Sequence, residues 1–113
     1  MSHETVFKTV NAVVPCAHMA WPVDASHPLP FAVYYIDRVR GHYADNKLYK
    51  TVTRWTVELH QYTRDAEIQE ALEAAIAEQF GTYKIDGEEW IEDDQCFMTV
   101  YGFTEIEKEE DNG

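Results

Sequence analysis

Residues 29–80 carry the feature that most constrains this chain: two period-two runs of aromatic and β-branched residues joined by a short polar link and followed by an amphipathic helix. In the first run, Phe31, Val33 and Tyr35 alternate with Ala32, Tyr34 and Ile36, a pattern that suits a strand in a sheet. Pro30 can open such a strand but cannot stand inside it. Gly41 and the Asp45-Asn46 pair tolerate turn geometry, so the residues from Gly41 to Asn46 read as a link and the strand that follows returns antiparallel. That second strand ends in Trp55-Thr-Val-Glu-Leu-His-Gln-Tyr62. Its apolar residues change parity, from even numbers at Leu48 and Val52 to odd numbers at Trp55, Val57 and Leu59. Because a one-residue shift turns side chains to the other face, two readings follow. Either a bulge lies near Thr53, or the outer half of the hairpin faces something other than the core. The second is preferred, with a tip that leaves the domain to meet a partner.

The helix is expected to open near Asp65, with Thr63 or Asp65 as its N-cap, and to run to Phe80, with Gly81 as the C-terminal cap. Ile68, Leu72, Ala75, Ile76 and Phe80 form its apolar stripe. A first helix, opening near Ser2 and placing Val6, Phe7, Val10, Val13 and Val14 at helical spacing, must stop by Val14 because Pro15 disfavours helix in the residue before it. Cys16 to Trp21 reads as a short strand and the Pro-rich stretch to Pro30 as a loop. Asp86-Gly87 is a turn signal between short extended segments. Cys96 to Phe103 reads as a central strand, and the charged residues 105–113 as a disordered acidic tail after a single domain of residues 1–104. The expected fold is α+β: a mostly antiparallel sheet of four to five strands, two helices packed on one face, and a protruding β-hairpin.

Charge is strongly segregated. Met1–Arg64 holds seven Lys or Arg against five acids, whereas Asp65–Gly113 holds two against sixteen, giving the overall −12. A molecule with separate positive and negative regions can associate head to tail, closing into a ring where the rotation permits. Net acidity argues against sequence-independent binding to nucleic acid. No apolar run approaches the ~20 residues that cross a bilayer, and no signal peptide is recognisable at the start. Cys16 and Cys96 are therefore expected to be reduced, buried thiols.

Chemical motifs are sparse. Cys16 and His18 share one strand face, but no second tight ligand pair accompanies them, so neither a metal nor another cofactor is expected. There is no Gly-rich phosphate loop, no G-x-S-x-G and no H-E-x-x-H. Glu58, Glu88, Glu89, Glu92, Asp93 and Asp94 offer acid pairs that a chain this acidic supplies by chance. No catalytic residues are assigned.

Pro30-Phe-Ala-Val-Tyr-Tyr-Ile-Asp37, His42-Tyr-Ala-Asp-Asn-Lys47 with Tyr49, Val57-Glu-Leu-His-Gln-Tyr62, the acidic helix and Cys96-Phe-Met-Thr-Val-Tyr101 together resemble the tail completion proteins of long-tailed bacteriophages and prophages, also called tail terminator or tail-to-head joining proteins. The resemblance spans roughly Val13 to Phe103 and is sharpest at Tyr43-Ala-Asp-Asn46 and Glu58-Leu-x-x-Tyr62. Trp55 in the long strand and the extended acidic tail depart from the family pattern. The resemblance implies a virion structural protein without catalytic activity, assembled in the host cytoplasm and placed at the head–tail junction. It implies a hexameric ring that caps the tail tube, with the tail tube protein and the head connector as partners. DNA passes through the lumen without specific binding, as an acidic lining that repels it would permit. It also implies an assembly contact at Tyr43, Ala44, Asp45 and Asn46. Charge adds Arg38, Arg40, Lys47 and Lys50, facing the acidic helix of the next subunit. The alternative is a small ligand- or metal-binding α+β domain, with or without enzymatic activity, that uses Cys16, His18 and nearby acids.

Overall fold

The computed structural model describes residues 3–19, 29–44, 47–92 and 95–108. Among these residues two helices and five strands follow in the order α1 (His3–Asn11), β1 (Cys16–His18), β2 (Phe31–Ala44), β3 (Lys47–Gln61), α2 (Ala66–Phe80), β4 (Lys84–Ile91) and β5 (Cys96–Lys108). They form an α+β fold whose sheet has the order β1-β2-β3-β5-β4; every pairing is antiparallel except β1 with β2.

α2 begins where its chemistry dictates. The Asp65 carboxylate accepts from the backbone N–H of Glu67 and Ile68, and Gly81, at φ 91°, closes the C-terminus by donating to the Ala77 carbonyl. One core joins both helices to one face of the sheet. Val6, Val10 and Val14 from the first helical region meet Leu72 and Ile76 of α2 over Ala32, Tyr34, Trp55, Val57, Leu59, Tyr101 and Phe103. Phe80 stacks on Phe103 with ring centroids 4.5 Å apart. Gln69, which an apolar stripe does not anticipate, is buried and donates to the Thr99 hydroxyl at 2.9 Å.

Three expectations change. Gly41 to Ala44 belongs to β2, so the strands run to the tip and the hairpin is longer than its polar composition implies. Asp86-Gly87 makes no turn: β4 is one strand, and Asp86 is left out of the register between Ile85 and Gly87 as a bulge. Residues 105–108 extend β5, with Lys108 opposite Lys50, because a paired backbone stays extended even when its side chains are charged. The remainder of the expected tail and the Trp21 end of the expected first strand lie outside the described residues.

Candidate functional site

The parity change in the hairpin resolves on the opposite strand. β3 keeps an unbroken register with β5 through Thr53, whereas β2 skips Asp37 between the pairs Ile36–Trp55 and Arg38–Arg54. The even-numbered residues Ala32 and Tyr34 are buried towards the helices, with Ile36 packed against them. Without the bulge Arg38 and Arg40 would point the same way. The extra residue turns them to the far face of the sheet, beside Arg54.

There Arg38, Arg40, Arg54 and Lys84 line an open cleft of about 460 Å³, completed by Asp37 and Val52. Arg54 is fixed. Its guanidinium donates to both carboxylate oxygens of Asp86, at 3.0 and 3.3 Å. The pair lies directly over Gly102, where an added Cβ would collide with both side chains. Glycine at this point lets a β3 cation reach a β4 acid across β5. Among the described residues, Arg38, Arg40 and Lys84 have no ion-pair partner. The charge segregation of the sequence therefore becomes one concave cationic surface. Exposed Glu67, Glu70 and Glu78 of α2 lie on the helix side of the molecule.

A second register shift lies between His42 and Tyr43, where β3 has the extra residue Tyr49. Tyr43 and Leu48 close over Gly41, whose hypothetical Cβ would lie 3.1 Å from Leu48 Cδ1 and 3.3 Å from Tyr43 Cε2. Tyr43 remains 70% exposed, and Val39, Leu48 and Ile106 add exposed apolar surface along the arm. Of the expected contact residues, Arg38 and Arg40 join the cleft, Tyr43 and Lys47 are exposed at the arm's end, and Lys50 pairs in register with His42. Ala44 ends β2, and Asp45 and Asn46 lie outside the described residues. Lys84 and Asp86 have no local sequence signal; the β4–β5 pairing brings them to the arm.

A polar cluster occupies the far face nearer the base of the hairpin. His60 Nε2 lies 3.3 Å from Glu58 Oε1, Tyr35 donates to Glu58 Oε2 at 2.8 Å, and His60 Nδ1 is 3.7 Å from Cys96 Sγ. The hydrogen bond to His60 holds the Glu58 carboxyl below its ordinary value; the bond from Tyr35 acts the same way, and burial opposes both. Burial, reinforced by Glu58, pushes the Tyr35 phenol up to about 12. Cys96 is 2% exposed.

Cys16 and His18 each contact a different neighbour. The Cys16 thiol donates to the Phe7 carbonyl at 3.7 Å, and burial pushes its pKa up to about 11, which leaves it a poor nucleophile. The His18 ring packs edge-on against His3 at 4.6 Å. Among the described residues no group of three or more His, Cys, Asp or Glu side chains is arranged to hold a metal, and both cysteines are buried. No helix there is long and apolar enough to cross a membrane. No protein-family model matches the chain, and comparison with curated proteins returns no match.

Proposed function

We propose that this chain is a tail completion protein of a long-tailed bacteriophage or prophage. In this reading copies assemble as a ring on the end of the tail tube, stop its growth and join it to the head connector, and the chain acts by assembly without catalysis. The observation that carries the reading is the arm: β2, β3 and β5 continue past the helices and bring exposed Val39, Tyr43 and Leu48 together with the unpaired Arg38 and Arg40. An extension of this kind gains most of its burial from a neighbour. The resemblance in sequence is strongest in the same arm, at residues 43–46.

The test is to reverse Arg38 and Arg40 to Glu. The variant should remain a folded monomer and fail to form rings on purified tail tubes by electron microscopy. Normal ring assembly by that variant would remove the charge argument.

The cleft also favours a second reading, a small domain that binds an anionic ligand at Arg38, Arg40, Arg54 and Lys84. Isothermal titration with inorganic phosphate and with small dicarboxylates tests it. Stoichiometric binding supports this reading, and a null titration at millimolar ligand removes it.

A further inference from the structure

The sheet ends in two open edges of different character. β1 covers β2 only at Ala32, Val33 and Tyr34, so from Tyr35 to Ala44 β2 has no second neighbour among the described residues. At the other end, β4 pairs over Lys84–Ile91 with β5 alone among the described residues. Open edges present unpaired backbone donors and acceptors, and a single-sign charge on both would guard them against pairing with any copy. Here the signs differ. The open part of β2 carries Arg38 and Arg40 against Asp37; on β4, Asp86 and Glu88 are held by Arg54 and Arg64 of the same chain, which leaves Glu89 as the acid without an ion-pair partner among the described residues. Glu89 is attracted by Arg38 and Arg40 of another copy, whereas two β2 edges brought together would oppose their own arginines, which favours a head-to-tail contact over a two-fold one.

Strand direction fits the same contact. β2 runs towards the arm's tip, β3 returns, β5 runs towards the tip again and β4 returns. A rotation that keeps the strand axes aligned between copies sets β4 of one copy antiparallel to β2 of the next. Antiparallel partners need no crossover and form well-aligned bonds. Because β1 occupies the base of β2, the incoming β4 must lie beside the outer stretch. That stagger tilts the strands, as closure of a sheet requires.

We propose that the open edge of β2 pairs antiparallel with β4 of a second copy of this chain, so that the ring is built around one continuous intersubunit sheet. Glu89, exposed on the far face of β4, is brought alongside Arg38 and Arg40 of the neighbour's cleft. The inference rests on the ring-forming reading above and specifies its subunit contact.

The experiment uses two charge-reversed full-length chains, R38E/R40E and E89R. Each alone juxtaposes like charges and should associate at least about tenfold more weakly than the natural sequence by analytical ultracentrifugation. Mixed in equal amounts they should recover association, because alternating copies restore both contacts. Hydrogen exchange should slow at amides 35–44 and 84–91 on association. As a second probe, R38C and E89C chains mixed under oxidation should give a mixed disulfide dimer between those positions. Failure of the mixture to recover, with no mixed disulfide at concentrations where the natural sequence associates or caps tubes, overturns the edge pairing while leaving the tail reading intact. Edge pairing in a protein that never caps tail tubes supports the inference and removes that reading. A natural sequence that neither associates nor caps tubes overturns both.

Discussion

The two halves of the hairpin share the same strands and differ in what covers them. At the base, Trp55, Val57 and Leu59 are fully buried under α1 and α2, and the far face holds the Tyr35–Glu58–His60 cluster. Beyond the Asp37 bulge the backbone ladder continues through thirteen-residue β5 to Lys108, while side chains such as Val39, Tyr43 and Ile106 are 44–70% exposed. Regular pairing is therefore not equivalent to stability. The base is held by burial of apolar area, and the arm by the ladder and a few local contacts.

The sharpest break of this comparison is at Trp55. Trp55→Ala should lower unfolding free energy by about 3–5 kcal/mol in urea titrations. A smaller loss would mean that the helices are not the main support of the sheet. Next comes Thr99→Val, which leaves the buried Gln69 amide without its acceptor and should cost about 1–3 kcal/mol. If it is neutral, the Gln69–Thr99 bond adds nothing to the apolar contacts and the Tyr101–Glu73 bond that hold α2 to the sheet.

Glu58 gives the base an acid limb. Its folded-state pKa is below its unfolded value, so its contribution is complete above the ordinary 4.5 and disappears as pH falls through the depressed folded value. Glu58→Gln should flatten the decline of stability below pH 4.5, measured by thermal melts across an acid series. An unchanged acid limb would show that the His60 and Tyr35 bonds are not maintained in solution.

Where the base meets the arm, Gly102→Ala should push Arg54 and Asp86 apart. Both ends are flexible and partly solvated, so the expected loss is only about 0.5–1 kcal/mol. Smallest of all, Tyr43→Ala should change monomer stability by less than about 0.5 kcal/mol. A large effect there would place the arm in the monomer's own folding unit and weaken the proposal that it serves a neighbour.

Local chemistry made much of this fold legible in the sequence. Thr63, Asp65 and Gly81 are cap signals that act through adjacent backbone groups, so the ends of α2 are readable to within two residues, and the structure selects Asp65 over Thr63. Period-two alternation placed Phe31–Ile36 and Trp55–Gln61 in strands because side-chain direction is a property of consecutive residues. Pro15 likewise confined the first helix. The basic arm and acidic remainder were also visible, since charge needs no fold to be counted.

Tertiary structure decided what sits beside what. The Asp37 bulge exists only relative to β3, and it alone turns Arg38 and Arg40 away from the core face. The Asp86 bulge, the reach of β5 to Lys108 and the crossing of Arg54 over Gly102 to Asp86 all depend on pairing between segments up to 58 residues apart, such as Lys50 with Lys108. Hydrogen bonding between strands is indifferent to side-chain polarity, so charged or Gly-rich segments that read as loops become strand once a partner's backbone is in register.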